Sequence, residues 1–175
     1  AAELLAACDD LGAELVVTLG ALLADTPHTR PIPVTGSATE PDLVDRLNLE
    51  PSSYEGPTGI VGVLGDACSR LDIPHVSYWA AIPHYVAQPP CPKGTYALVT
   101  ALEELFESTL PLGELAEDSR AWERGVDELA LEDEDVAEYV RSLEESRDTV
   151  DLPEASGEAI AREFQRYLKR TQNED

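Results

Sequence analysis

An α/β fold with parallel strands is what the sequence predicts, and three observations carry it. Short β-rich runs bounded by glycine or proline alternate with segments of helical periodicity. They follow in the order strand, helix, helix, strand, helix, and helical crossovers of this kind join parallel strands. With 175 residues, 43% of them hydrophobic, the chain has material for a sizeable core.

Residues 2–11 read as a helix, with Leu4, Leu5, Cys8 and Leu11 at helical spacing and Gly12 as its stop. The run from Glu14 to Gly20 reads as a buried strand. A loop over 21–31 ends in Pro27-His28-Thr29-Arg30-Pro31, and Ile32 to Val34 is a short extended segment. Thr39 is expected to cap a helix over about 41–47, with Pro41 in its first turn and Asp42 complementing the dipole. A turn over Tyr54–Gly59 leads into a helix over 59–71, whose predicted stripe is Ile60, Val63, Leu64, Ala67 and Leu71. His75 to Ala80 forms the second strand, followed by Pro83-His84-Tyr85 and a proline-rich loop. Pro92 opens a long helix to about 108. Two strands alone make no stable sheet with helices on both faces. Further strands therefore lie in the loops or outside this chain.

The tail differs. Residues 1–100 hold 12 acids and four bases, whereas residues 101–175 hold 23 acids and eight bases. Three amphipathic helices follow one another there. Their stripes are Leu115, Trp122, Val126 and Leu129, then Val136, Tyr139, Val140 and Leu143, then Ile160, Phe164, Tyr167 and Leu168 with Ser156 as cap. The expected organisation is an α/β domain over 1–112 and an acidic three-helix appendage over 113–175.

The net charge of -23 excludes nucleic acid, whose phosphates demand lysine and arginine, and anionic membrane surfaces as well. No apolar run reaches membrane-span length. The three cysteines, Cys8, Cys68 and Cys91, show no CxxC spacing. They read as small hydrophobic residues of a cytoplasmic protein rather than a disulfide framework.

Ligands of open α/β sheets bind beyond the carboxyl ends of the strands. That rule singles out the loop with Asp25, His28 and Arg30 and the loop with His84 and Tyr85. The turn before the 59–71 helix adds Glu55, a potential acid or base, and Thr58, which with the amides near Gly59 could hold an anion. In a purely structural reading the two histidines bond loop backbone, and Arg30 pairs with Asp25 or Glu55. The acidic runs Glu132–Asp135 and Glu144-Glu145 then read as solvated faces. No metal site and no cofactor are expected: His75 lies at the far end of its strand, and neither a P-loop nor a G-x-S-x-G occurs.

Three stretches carry a family resemblance: Thr18 to Pro31, Tyr54 to Gly62, and Ser77 to Pro90. Together with Arg162-Glu163-Phe164-Gln165-Arg166-Tyr167-Leu168 they resemble the bacterial, actinobacterial-type branch of the proteasome assembly chaperone 2 family. The resemblance implies a three-layer α/β/α sandwich related to the purine nucleoside phosphorylase architecture. Members usually begin with several strands and a helix before the Leu4 helix, so this chain is expected to be the C-terminal portion of a longer protein. Eukaryotic members assist assembly of proteasome α subunits. The resemblance thus implies a protein-binding or assembly-chaperone-like module with a protein partner or self-association. The alternative is a binder or enzyme for nucleoside- or phosphate-like small molecules. There His28 or His84 would be the acid/base, Arg30 would hold an anion, and Glu55 would hold a hydroxyl.

Overall fold

A computed structural model describes residues 2–49 and 59–151. The expected helix with Ser156 as cap and Ile160, Phe164, Tyr167 and Leu168 as its stripe, and the turn with Glu55 and Thr58, lie outside the described residues. The chain divides into two compact units, one of Ala1–Leu22 and Pro33–Ala81, the other of Leu23–Ile32 and Ile82–Asp175. The boundary at 112/113, where the sequence reading divides the α/β domain from the helical appendage, falls inside the second unit.

The first unit is built on a three-stranded sheet in the order β1-β3-β2, with β1 at Val16–Ala24, β2 at Val34–Ala38 and β3 at His75–Pro83. The Val16 N–H donates to the Pro74 carbonyl at 2.9 Å, and Gly20 lies further along against Trp79. β1 and β3 therefore run in the same direction. β2 is a further strand of the kind expected in the loops. It pairs antiparallel to β3, with Val34 opposite Ala80 and Ala38 opposite Val76. Backbone bonds from Thr39 to His75 and from Ala81 to Pro33 extend that ladder at both ends.

As the middle strand, β3 is shielded on both faces. On one face Val76 and Ala80 are fully buried and Tyr78 and Ile82 nearly so, and on the other His75, Ser77 and Pro83 are buried. The Tyr78 and Trp79 rings project on opposite faces, as successive residues of a strand must. Each ring needs a glycine on the neighbouring strand. A Cβ on Gly20 would come within 2.7 Å of the Trp79 ring, and one on Gly36 within 2.8 Å of the Tyr78 ring.

α1 (Ala2–Asp10) ends before Gly12, which adopts φ +62°, the left-handed conformation that favours glycine after a helix. α2 (Pro41–Leu47) packs beside β2. Its cap departs from expectation: Glu40 stands at the N-cap with no side-chain bond. Thr39 still belongs to the sheet, and its hydroxyl accepts the His75 N–H at 2.9 Å. The ladder outcompetes the cap.

α3 (Ile60–Arg70) is rotated by about one position from its predicted stripe. Ile60, Val63 and Leu71 are exposed, while Cys68 is fully buried and Val61, Leu64 and Gly65 are half-buried. The inward set follows the 61-64-65-68 spacing of a helix face. Gly65 sits at its centre because the His75 ring lies beneath: a Cβ there would stand 3.0 Å from Cε1. That ring meets the Thr18 hydroxyl at 3.0 Å through Nε2, and burial pulls its pKa below the ordinary value.

The second unit holds α4 (Pro92–Phe106), α5 (Leu115–Glu132) and α6 (Glu134–Asp151), with α4 packed on α5 and α5 on α6. Among the described residues of its helices, Leu105, Val126, Ala130 and Val140 form the buried apolar set. Leu129, expected on the inner stripe of α5, is exposed, and Ala130 takes the inward place. Close packing against Ile82 requires Gly94 in α4, where a Cβ would meet Ile82 Cδ1 at 2.5 Å. Asp133 separates α5 from α6 and caps the latter, its carboxylate accepting the N–H groups of Asp135 and Val136.

Candidate functional site

All described candidate residues belong to the second unit, on two segments that follow strands. Asp25, His28 and Arg30 lie on the loop after β1, and His84 and Tyr85 on a short 3-10 turn, His84–Val86, after β3. The structure brings these five together. Pro27 and Pro31 bracket the loop and restrict its backbone. Lys93, in the first turn of α4, donates to the His28 carbonyl and to the Glu123 carboxylate.

His28 is at the centre, with 1% of its side chain exposed. The Tyr85 hydroxyl accepts the His28 backbone N–H at 2.8 Å and lies 2.8 Å from ring Nδ1. For neutral imidazole the hydroxyl proton then points to Nδ1, which assigns the remaining ring proton to Nε2. Nε2 donates to the Asp127 carboxylate at 3.0 Å. The connectivity runs Tyr–His–Asp, a hydroxyl, an imidazole and a carboxylate in series. Burial pushes the Tyr85 hydroxyl up to about 12, so at neutral pH it stays protonated and serves as a donor.

Arg30 does not pair with Asp25, as one sequence reading expected. Its guanidinium forks onto Asp148, Nε to Oδ1 at 2.9 Å and Nη2 to Oδ2 at 2.8 Å, and its Nη1 reaches Glu144 at 3.2 Å. Thr29 also donates to Glu144. Glu144 is therefore half-buried and engaged, not the solvated acid its run suggested, while Glu132–Asp135 and Glu145 are exposed. The bonds with Asp148 raise the Arg30 pKa and hold the Asp148 carboxyl below its usual range.

Asp25 accepts from the Tyr139 hydroxyl at 3.1 Å and stands 3.3 Å from His84 Nδ1. The histidines are thus held by side chains rather than by loop backbone alone. Four rings close the cluster edge to face. The centroids of His28 and Tyr85 lie 5.7 Å apart, His84 and Tyr85 5.9 Å, His84 and Tyr139 5.4 Å, and Tyr85 and Tyr139 6.1 Å.

Sequence reasoning found the loop residues and missed their partners Asp127, Tyr139, Glu144 and Asp148. One signal was present: Val136, Val140, Glu144 and Asp148 recur at four-residue spacing on α6, an apolar stripe that turns acidic. Among the described residues no group of three or more His, Cys, Asp or Glu could hold a metal ion. No described helix is long and apolar enough to cross a membrane.

The profile of the PAC2 family matches residues 1–130. Among solved structures, a PAC2 family protein from Streptomyces avermitilis is 61% identical over 79% of this chain and 58% of its own, with a TM-score of 0.73. A proteasome-assembly chaperone homologue from Mycobacterium tuberculosis is 50% identical over the same shares, with a TM-score of 0.70. A second M. tuberculosis protein, described as of unknown function, is 26% identical over 85% of this chain and 51% of its own, with a TM-score of 0.76. The chain thus spans less than two thirds of the length of these relatives. No curated protein matches the sequence. A profile match over 130 residues and identities of 50% and more establish the family: the chain belongs to the PAC2 family.

Proposed function

We propose that the chain is a protein-binding, assembly-chaperone-like module of the cytoplasm. The observation that carries this reading is its 50% identity to a proteasome-assembly chaperone homologue. The geometry is in keeping with it. Asp25, His28, Arg30, His84 and Tyr85 bond to one another and to α5 and α6. In this reading they are positioning residues that set two helices, not groups waiting for a substrate. A small anion at Arg30 would have to displace the bidentate Asp148 carboxylate, so the small-molecule alternative is not favoured.

The test mixes the purified chain with unassembled proteasome α subunits and follows the mixture by native mass spectrometry and sedimentation velocity. A discrete complex of defined stoichiometry is the expected result. Two components sedimenting independently at concentrations up to about 100 μM would overturn the reading, since a working chaperone contact is tighter than that. The same runs report self-association of the chain alone.

A further inference from the structure

The two halves of α6 are attached by different physics. From Val136 to Leu143 the attachment is mainly apolar: Val140 is buried, Val136, Tyr139 and Leu143 are half-buried, and the Tyr139 hydroxyl adds its bond to Asp25. From Glu144 to Thr149 no side chain is fully buried. There the bonds to the loop after β1 are Thr29 and Arg30 to Glu144, and Arg30 to Asp148. One guanidinium serves both carboxylates. Asp148 is 54% exposed and Arg30 34% exposed, so solvent and salt reach the clamp.

The loop end is held otherwise. His28 is buried, Lys93 grips its carbonyl, and two prolines restrict the backbone. One side of the clamp is anchored, and the other is a stretch of helix, 144–149, with no buried side chain. The Arg30 bonds lost on opening are screened ion pairs, whose strength falls with ionic strength. The first half of α6 is held by buried apolar contacts, which added salt does not weaken, beside the Tyr139–Asp25 bond.

We infer that the second half of α6, from Glu144 onward, is an electrostatic strap. It is closed on Arg30 and Thr29 at low ionic strength and opened by salt, while α5 and the first half of α6 stay docked. Opening the strap bares the Glu144 and Asp148 carboxylates and frees the Arg30 fork.

Hydrogen exchange of the intact chain, read by mass spectrometry, tests this at about 20 mM and about 500 mM salt, a range over which exposed charge pairs pass from weakly to strongly screened. Peptides covering 143–151 should exchange about threefold faster at high salt, the scale of an exposed ion-pair network. Peptides covering 122–130 of α5 should not change. In Arg30→Met the 143–151 peptides should be fast at both salts, with the salt response gone. Asp148→Asn, at an exposed position, removes the forked pair and leaves Arg30 on Glu144, so it should speed the 143–151 peptides at low salt and reduce their salt response, and it serves if Arg30→Met does not fold. Equal exchange in wild type and Asp148→Asn would overturn the strap. So would an acceleration of α5 in step with α6, which would make the helices one cooperative unit.

Discussion

The Tyr85 hydroxyl has two polar atoms of His28 depending on it, and Tyr85→Phe removes it while keeping the ring. The His28 backbone N–H and ring Nδ1 each lose their partner at 2.8 Å. With 1% of the side chain exposed, water has no route to the ring nitrogen. A buried polar group stripped of its partner costs about 1–3 kcal/mol, and the phenol's own desolvation is recovered, so the net loss should be about 3 kcal/mol. In a chain of 175 residues that corresponds to a fall in Tm of roughly 6–12 °C. Urea unfolding measures it, as a lower midpoint at unchanged slope. Asp127→Asn provides the contrast. Asp127 is 47% exposed, and asparagine keeps an acceptor, so the loss there should stay below about 1 kcal/mol. The nitrogen chemical shifts of His28 give a second reading, with the proton on Nε2 in the wild type. A loss below about 1 kcal/mol for Tyr85→Phe would refute the reasoning, because it would mean that other groups satisfy both nitrogens.

Three further outcomes are expected. Burial lowers the His75 pKa in the folded chain, so the unfolded state binds the proton more readily. Stability from this residue is complete above the ordinary value of 6.5 and is lost as pH falls below it, and His75→Asn should flatten that part of a stability–pH series. Gly20→Ala places a Cβ 2.7 Å from the rigid Trp79 ring and should cost about 1–3 kcal/mol in urea unfolding, with Trp79 fluorescence altered. Gly125 lies in the middle of α5, and a methyl group added there would meet nothing within 4 Å, so Gly125→Ala should raise stability by roughly 0.5–1 kcal/mol in the same assay.

Legibility in the sequence followed the range of the interactions. β3 and the start of β1 were readable because their residues declare themselves by apolar runs between glycines and prolines. Residues 21–24, read as loop, continue β1 past Gly20. β1, read as buried, has no fully buried residue because it is an edge strand of the described sheet. β2, Val34-Thr35-Gly36-Ser37-Ala38, was not readable, because small and polar residues dominate it and its strand state comes from the ladder with β3. The stripe of α3 was misplaced by one position, because Gly65 gives no hydrophobic signal and yet faces inward over His75. The rule that ligands gather at strand ends picked out the residues of the loop cluster, but their role turned out to depend on partners far along the chain. His28 meets Asp127 across 99 residues, and Arg30 meets Asp148 across 118.

By itself the sequence determined the alternation of strands and helices, the acidic character of the tail, and the family signatures in the loops. These rest on composition and on periodicities of two and 3.6 residues, which are local properties. Only the tertiary structure decided which acids of the tail are solvated and which are spent on Arg30 and His28. Carboxylates on a helix face look alike in sequence, and what separates Glu144 from Glu145 is a guanidinium and a hydroxyl brought from more than 100 residues away. The loop that read as a candidate ligand site became, for that reason, the seat of two helices.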